Sequence, residues 1–154
     1  MLIHFRKIST LCVALCSLSL LGPPDAAALT ITDFGAVADD GLDDRAAIQA
    51  ALDAACAAVA GGDTDVEVVV PAGVFDLEKG AEPAANAPWV ILSLGCGGFT
   101  LRGEPNAARG IAPTLRLADA QGAFESLLGA PTFAQRVDGF TLRDLTLDGN
   151  GANN

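Results

Sequence analysis

The feature that most constrains the fold is a five-residue segment that occurs twice. Gly98–Arg102 and Gly139–Arg143 both read Gly-Phe-Thr-Leu-Arg, and they lie 41 residues apart. Self-similarity at a fixed period is typical of stacked architectures, in which each repeat contacts its neighbours. The repeat therefore predicts that the two segments occupy equivalent positions in adjacent layers.

The second copy runs on into a change of parity. Phe140 and Leu142 share one face of a strand, whereas Leu145 and Leu147 fall on the other. A flat strand would point the two pairs in opposite directions. A sharp bend or bulge at Arg143–Asp144 would turn both pairs toward one interior. Short strands joined by sharp corners around one core are what the coil of a β-helix requires.

One segment near the start of the chain has helical spacing. Ile48, Leu52, Cys56 and Val59 recur at intervals of four, four and three residues, which places them on one helical face. The segment is rich in alanine and is followed by a glycine pair, so we expect an amphipathic helix over about residues 44–60. Because a helix with one apolar stripe must cover something, this helix is expected to cap a core.

Short runs with period-two spacing, separated by Gly, Pro, Asn and Asp, predict strands elsewhere. The predicted strands are Leu29–Phe34, Val66–Val70, Val74–Leu77, Trp89–Leu94, Phe99–Arg102, Thr114–Leu117 and Phe140–Leu147, with a surface loop over Ala81–Pro88. A β-sandwich with one helix is the rival architecture, and its hairpins need Asn-Gly or Asp-Gly turns between matched strands. The Asp-Gly and Asn-Gly dipeptides in the chain lack such flanks. The sequence therefore favours an all-β solenoid, a parallel β-helix with one capping α-helix.

The first 28 residues predict a secretory signal peptide. Arg6 and Lys7 precede an uncharged, mostly apolar run from Ile8 to Leu21, and Ala26–Ala28 supplies the small residues that signal peptidase accepts. The run of about 14 residues is too short to span a bilayer, which needs roughly 20. We expect cleavage after Ala28, a secreted or periplasmic location, and no membrane association after cleavage.

The remaining residues, 29–154, favour a single domain. Their net charge is −11, against −10 for the whole chain, because two cations and one anion leave with the leader. This charge disfavours nucleic acid and anionic membranes, but an anionic polysaccharide can still bind at a local basic cluster or through a cation. Cys56 and Cys96 either form a disulfide, worth about 3–4 kcal/mol, or remain two buried small side chains.

Several motifs resemble the N-terminal signature of the pectate-lyase superfamily. They are Ile31–Val37, Asp40–Gly41 with Asp43–Asp44, Ala47–Leu52, Val68–Phe75, Phe99–Gly103 and Leu142–Asn150. The superfamily includes polygalacturonase-type glycoside hydrolases and phage tailspike depolymerases. The resemblance implies a right-handed parallel β-helix whose first segment is a cap. The family often has Gly-Asp-Gly where this chain has Ala38–Gly41, so that loop is expected to be longer or differently bent.

The first candidate site is the acidic stretch that contains Asp39, Asp40, Asp43 and Asp44. Four carboxylates within six residues could gather around Ca²⁺, which takes oxygen ligands, although their spacing does not fit an EF-hand. A helix N-cap at Asp43 or Asp44 with a solvated turn is the favoured interpretation. No metal ligand is therefore assigned, and Ca²⁺ is the one cofactor that the sequence leaves open.

Asp144 and Asp148 are the candidates for the pair of carboxylates that glycoside hydrolysis uses. Asp148 precedes Gly149, which is more typical of a turn residue. A lyase would instead need a base with a shifted pKa close to the carboxylate of its substrate. The available cations are Lys79, Arg102, Arg116 and Arg143. Nothing in the sequence marks one of them as perturbed, and each is interpreted as a surface charge.

Other chemistries are excluded by residue type. The one histidine of the chain, His4, lies in the predicted leader, so histidine triads and histidine-ligated zinc are excluded after cleavage. Gly95–Gly98 lacks the helix and lysine that complete a phosphate-binding loop. Neither Cys56 nor Cys96 has an evident basic partner. No catalytic residue is assigned, because in the family the carbohydrate groove comes from later coils.

The function expected from the resemblance is that of the N-terminal fragment of a secreted, polysaccharide-active β-helix protein. A lyase or a glycoside hydrolase of acidic or plant-type polysaccharide is the leading expectation. The alternatives are a non-catalytic glycan-binding or surface module and an inactive truncated product. Polysaccharide is the expected partner, nucleic acid is not, and no oligomeric state is predicted. The sequence ends in a turn-like segment without a cap, so the chain is expected to be incomplete.

Overall fold

Short parallel strands and one helix make up the described part of the chain. The computed structural model describes residues 28–80, 90–106, 109–122, 126–132 and 134–154. The elements are β1 (Leu29–Thr30), a 3₁₀ turn (Ile31–Phe34), α1 (Arg45–Gly61), β2 (Glu67–Pro71), β3 (Gly73–Leu77), β4 (Val90–Ser93), β5 (Thr100–Glu104), β6 (Pro113–Leu117), β7 (Ser126–Gly129), β8 (Thr141–Arg143) and β9 (Thr146–Asp148). In these ranges no helix is long and apolar enough to cross a membrane. Except for Ala28, the predicted leader lies outside the described residues, as does the loop predicted over 81–88.

The strands form three sheets that the chain visits in turn. Sheet A has the order β1-β2-β5-β8, sheet B has β3-β6-β9 and sheet C has β4-β7. Every pairing between these strands is parallel. The chain thus passes from sheet A to B to C and returns to A one strand further along. This is the path of a parallel β-helix, and it rules out the hairpin-based sandwich for the described residues. The right-handed sense stays a prediction, in line with the usual chirality of parallel crossovers.

The repeated segment occupies equivalent positions in two successive coils, as its sequence predicts. Thr100 pairs with Thr141, and Arg102 pairs with Arg143, in the register of β5 and β8. The rings that precede these strands, those of Phe99 and Phe140, meet edge to face with centroids 5.2 Å apart. Such aromatic pairs contribute about 0.5–1.5 kcal/mol beyond the area they bury.

The predicted corner lies between β8 and β9. Asp144 has a left-handed backbone (φ 61°), and it separates β8 in sheet A from β9 in sheet B. A single left-handed residue changes the direction of the chain and reverses the parity of the residues after it. Leu142 thus lies in register with the buried Leu101, and Leu147 with the buried Leu115, as the predicted corner requires, although Leu142 and Leu147 are themselves 39% and 38% exposed.

The core is filled by alternate residues of the strands. Fully buried positions in the first two coils are Val68, Val70, Phe75, Leu77, Leu101, Leu115 and Leu117. Burying a side chain of this size contributes roughly 1.5–3 kcal/mol. Gly103 faces the same interior, and a Cβ there would overlap the carbonyl oxygen of Asp144 and the ring of Pro113. Only glycine therefore fits where the second coil passes beneath the corner of the third.

Helix α1 covers one end of the stack. Ile48, Ala51, Leu52 and Ala55 are buried on its inner face, which belongs to the same core as the strands. Gln49 extends the contact to sheet C, because its Oε1 accepts from the N–H of Ser93 (2.8 Å) and its Nε2 donates to the carbonyl of the same residue (2.9 Å). The amide side chain thus makes the two bonds that a neighbouring strand would make to β4.

A disulfide fastens this cap to the second coil. Cys56 of α1 and Cys96, between β4 and β5, are bonded with their Cα atoms 5.6 Å apart. Of the two alternatives that the sequence leaves open, the structure shows the bonded one. The bridge encloses β2, β3 and β4, so it links elements that are 40 residues apart in sequence.

The prediction of a strand over Leu29–Phe34 is wrong in its second half. The strand stops at Thr30, and Ile31–Phe34 forms a 3₁₀ turn. Gly35, with φ 102°, donates its N–H to the carbonyl of Thr32 (3.1 Å) and closes this turn. A local bond made possible by glycine therefore replaces the extended backbone that the alternating pattern indicates.

Candidate functional site

The acidic loop, residues 39–44, forms part of the scaffold. Its carboxylates accept backbone N–H groups: Asp39 from Val74 (2.9 Å), Asp40 from Leu42 (2.9 Å), Asp43 from Arg45 (2.9 Å) and Glu78 (2.9 Å), and Asp44 from Val37 (2.8 Å). The backbone of the loop also runs beside β3, with a parallel bridge between Asp43 and Asp76. The loop therefore covers an edge of sheet B that would otherwise expose unpaired backbone groups.

Two neighbouring aspartates precede α1, and only one of them caps the helix with its side chain. Asp44 occupies the cap position, but its side chain makes no capping bond. Asp43 instead accepts the first helical N–H, that of Arg45. Asp44 is 5% exposed, and its Oδ2 has no hydrogen-bond partner among the described residues. Burial raises the pKa of Asp44, while the bond from Val37 opposes the rise.

No group of three or more His, Cys, Asp or Glu side chains in the described ranges is arranged to hold a metal ion. The carboxylates of the acidic loop that the sequence offered to Ca²⁺ accept backbone bonds. Ca²⁺ stays an untested expectation for this chain.

The two carboxylates considered for hydrolysis belong to different parts of the coil. Asp144 lies in the corner between sheets A and B, where it accepts from Arg143 Nη1 (2.7 Å). Asp148 ends β9, in register with Arg116, and accepts the N–H of Asn150 (2.8 Å). The bond from Asn150 to Asp148 is the kind of turn contact that the sequence predicts for a residue before Gly149.

Two of the candidate bases, Arg116 and Arg143, are held in their charged form by carboxylate partners. A hydrogen bond from Arg116 to the carboxylate of Asp76 raises the pKa of that guanidinium, and the bond from Arg143 to Asp144 does the same for Arg143. A base that removes a proton needs the opposite shift. Lys79 follows β3, and its backbone N–H donates to Gln121 Oε1 (2.8 Å).

The outer face of sheet A carries a charged cluster that spans three strands. We call it the sheet A face and define it as Glu67, Thr100, Arg102, Thr141 and Arg143. Glu67 Oε2 accepts from Arg102 Nε (2.7 Å), and its Oε1 accepts from Arg143 Nη2 (2.9 Å). These bonds, with that from Arg102 contributing most, lower the pKa of Glu67 and keep it ionised. One carboxylate thus serves two arginines from successive coils.

The outer face of sheet B carries a second charged cluster next to a polar cleft. Asp76 is 6% exposed and binds Arg116 through both of its oxygens, at 2.7 and 2.9 Å. The cleft has a volume of about 350 Å³ and is lined by Gly41, Asp76, Arg116, Ala118, Asp119, Asn150 and Asn153. Asn150 donates to the carbonyl of Leu117 (3.0 Å) and to Asp119 (2.6 Å), which ties the third coil to the second.

No family model matches the chain. It is similar to mannuronan C5-epimerases. The chain is 40% identical over 127 residues to AlgE6 of Azotobacter vinelandii and 38% identical over 127 residues to AlgE4 of the same organism, with 80% of this chain covered in each comparison. It spans only 12% of the length of AlgE6 and 20% of that of AlgE4.

Solved structures of the A-modules of these epimerases have the same fold. The AlgE4 A-module superposes with a TM-score of 0.64 at 32% identity, covering 81% of this chain and 30% of that one. The AlgE6 A-module gives a TM-score of 0.61 at 33% identity, with 81% and 29% covered. The relatives are β-helix proteins of the pectate-lyase-like superfamily, so the resemblance seen in the sequence is confirmed for the fold. Epimerases were not among the activities expected from it.

The two carboxylates that organise the clusters, Glu67 and Asp76, were not identified from the sequence. Each is a charged residue at an alternate position of a valine- or phenylalanine-containing strand, which is a signal for an outward side chain. Their partners lie 35 and 40 residues further along the chain. The register of separate coils decides those pairings, and a single sequence does not state that register.

Gly95–Gly98 connects the coils and forms no phosphate-binding loop. Cys96 within it is bonded to Cys56 and is therefore no free nucleophile. A Cβ on Gly97 would overlap the backbone of Asp138, so the segment lies directly against the third coil.

Proposed function

We propose that this chain forms the cap and first coils of an exported β-helix module that converts mannuronan-type polyuronate by epimerisation at C5. The observation that carries the proposal is the coincidence of sequence and shape. The 81% of the chain that superposes on the AlgE4 A-module is also 32% identical to it. Similarity of fold alone would leave the activity open, since one fold serves many functions. The proposal replaces the expected lyase or hydrolase with an epimerase of the same fold.

Epimerisation at C5 of a polyuronate requires a base, an acid and cationic groups near the substrate carboxylate. A base removes the proton at C5, beside the substrate carboxylate, and an acid returns a proton to the opposite face. Cationic groups near the carboxylate stabilise the negative charge that develops in between. A lyase shares the first step and then expels the 4-linked sugar. The chain has no tyrosine, and its one histidine lies in the predicted leader, so arginine, lysine and carboxylates are the titratable side chains that its described coils contribute.

Export is the second part of the proposal. The bond between Cys56 and Cys96 supports it, because structural disulfides persist in oxidising compartments. Together with the predicted leader over residues 1–28, the disulfide favours a periplasmic or extracellular location. Fractionation of expressing cells, followed by thiol alkylation of each fraction, tests this directly. The oxidised protein should be found outside the cytoplasm.

Incubation with polymannuronate in D₂O tests the activity. Epimerisation should place deuterium at C5 and produce guluronate signals in the proton NMR spectrum. Unsaturated sugar ends, seen by their ultraviolet absorbance, would instead identify a lyase, and new reducing ends would identify a hydrolase. Binding of the polymer without any exchange at C5 would favour the non-catalytic glycan-binding module. Absence of both binding and exchange would remove the support for a polyuronate.

A further inference from the structure

Packing in the core explains only part of the residue identity between the two copies of the repeated segment. Phe99 and Leu101 are 2% and 0% exposed, so packing accounts for the apolar residues of the Gly-Phe-Thr-Leu-Arg motif. Thr100 and Arg102 alternate with them and face outward. Outward positions of a strand accept many polar residues without loss of stability. The recurrence of both Thr and Arg at these positions therefore needs a reason other than the core.

The parallel register turns this recurrence into a ladder. Thr100 lies beside Thr141, and Arg102 lies beside Arg143, on neighbouring strands of sheet A. Neighbouring strands are about 4.8 Å apart. That spacing is comparable with the length of one pyranose unit in a 1,4-linked chain. A polymer that lies across the strands would meet one Thr-Arg pair per sugar.

The guanidinium groups of the ladder have donors to spare. Among the described residues Arg102 uses only Nε, toward Glu67. Arg143 uses Nη1 and Nη2, toward Asp144 and Glu67. Its side chain is 47% exposed. The hydroxyls of Thr100 and Thr141 also have no hydrogen-bond partner among the described residues. The sheet A face therefore presents free donors for carboxylate oxygens and hydroxyl groups for the sugar ring.

This face brings two arginines together in a charge-balanced cluster on an acidic protein. The whole chain has a net charge of −10, so a polyanion is repelled at long range and is held only where cations are concentrated. Arg116 is committed to the buried Asp76 through two bonds. Arg102 and Arg143 instead share Glu67, and Arg143 also binds Asp144, so these four groups together are neutral on a strongly acidic chain.

We propose that the sheet A face binds the carboxylates of a polyuronate chain lying across the strands, with Arg102 and Arg143 contacting successive uronate units. The inference rests on the proposed function for its choice of polymer. It goes beyond that activity by specifying which surface of the chain binds the polymer. Glu67 acts as the internal counter-ion that holds both guanidinium groups in place and competes with the ligand for them.

Binding of polymannuronate to the protein, measured by affinity electrophoresis and calorimetry, tests the proposal. The R102Q/R143Q double variant should bind roughly tenfold more weakly or worse, since hydrogen bonds to charged groups are the strong ones. Added salt should weaken binding by the wild type more than by this variant. The matched control is R136Q, which removes an arginine whose side chain is 85% exposed and lies outside sheet A. It should bind as the wild type does.

Glu67→Gln separates a binding role from a structural one. If Glu67 competes with the ligand, its neutralisation should tighten polymannuronate binding several-fold. If the ladder only stabilises the sheet, E67Q should bind no better than the wild type, and that result would overturn the proposal. E67Q and the single R102Q variant decide the question if the double variant fails to fold, as judged by circular dichroism.

The outcomes distinguish this inference from the proposed function. Exchange at C5 with unchanged binding by R102Q/R143Q overturns the sheet A face and leaves the epimerase proposal intact. Equal binding of uncharged mannan by the wild type also overturns the face, because its donors would then not select carboxylates. Absence of both binding and exchange overturns the two proposals together.

Discussion

Removal of the disulfide between Cys56 and Cys96 is expected to cost about 4 kcal/mol of unfolding free energy. The two cysteines are 40 residues apart, and cross-linking a loop of this length removes that much conformational entropy from the unfolded chain in the chain-entropy description. The structure gives the bond a mechanical role as well, because it joins the cap helix to the segment that enters β5. The C56A/C96A variant deletes the bond with little change in packing volume.

Urea unfolding followed by circular dichroism measures the effect. For a chain of this size, with a denaturant slope near 2 kcal/mol/M, the midpoint of the variant should fall by about 2 M. Reduced wild-type protein should match the variant, whereas the variant should not respond to reductant. Equal midpoints for oxidised wild type and variant would refute the expected stabilisation, and so would alkylation that finds both thiols free in the exported protein.

Three further substitutions test the packing, the capping bond and the buried charge. Gly103→Ala should destabilise the fold by roughly 3 kcal/mol or more, because its Cβ has no room beneath the corner of the third coil; Gly61→Ala, whose Cβ meets nothing within 4 Å, should be neutral or slightly stabilising in the same thermal melts. Gln49→Ala should cost about 1–3 kcal/mol in urea titrations, because it leaves the N–H and the carbonyl of Ser93 unpaired; an unchanged midpoint would mean that water replaces the amide. Burial raises the folded-state pKa of Asp44 above its usual value, so folding favours the protonated form. Relative to Asp44→Asn, the wild type should therefore gain stability as pH falls through that raised pKa and lose it as pH rises; a constant difference across the titration would show that the carboxyl is not desolvated.

The fold could be predicted from the sequence where residues close together in the chain determine the local structure. The apolar stripe that begins at Ile48 predicts the helix, which runs from Arg45 to Gly61. The change of parity after Leu142 predicts the corner, and Asp144 with its left-handed backbone supplies it. In these cases one short stretch of chain contains both the cause and the result, so a single sequence is enough.

Prediction failed where the deciding contact lies far away along the chain. The strand β7 (Ser126–Gly129) has no alternating pattern, and it is extended because it pairs with β4. The bonds of Glu67 to Arg102 and Arg143 cross 35 and 76 residues. The sequence supplies every one of these residues, but only the register of the coils brings them together.

Residues alternate along each strand between the core and the outer surface, and the two sets of positions are constrained differently. Inward positions accept few residue types because the interior is packed, as the glycine beneath the corner shows. Outward positions carry no such demand, so two arginines that recur in register on one face reflect either mutual stabilisation or a ligand. Glu67 and Asp144 together balance the charge of the pair, and partly exposed ion pairs of this kind add little stability. The ligand is then the stronger explanation, and an arginine ladder whose charge is balanced by two carboxylates is a physical means by which an acidic protein can approach an acidic polymer.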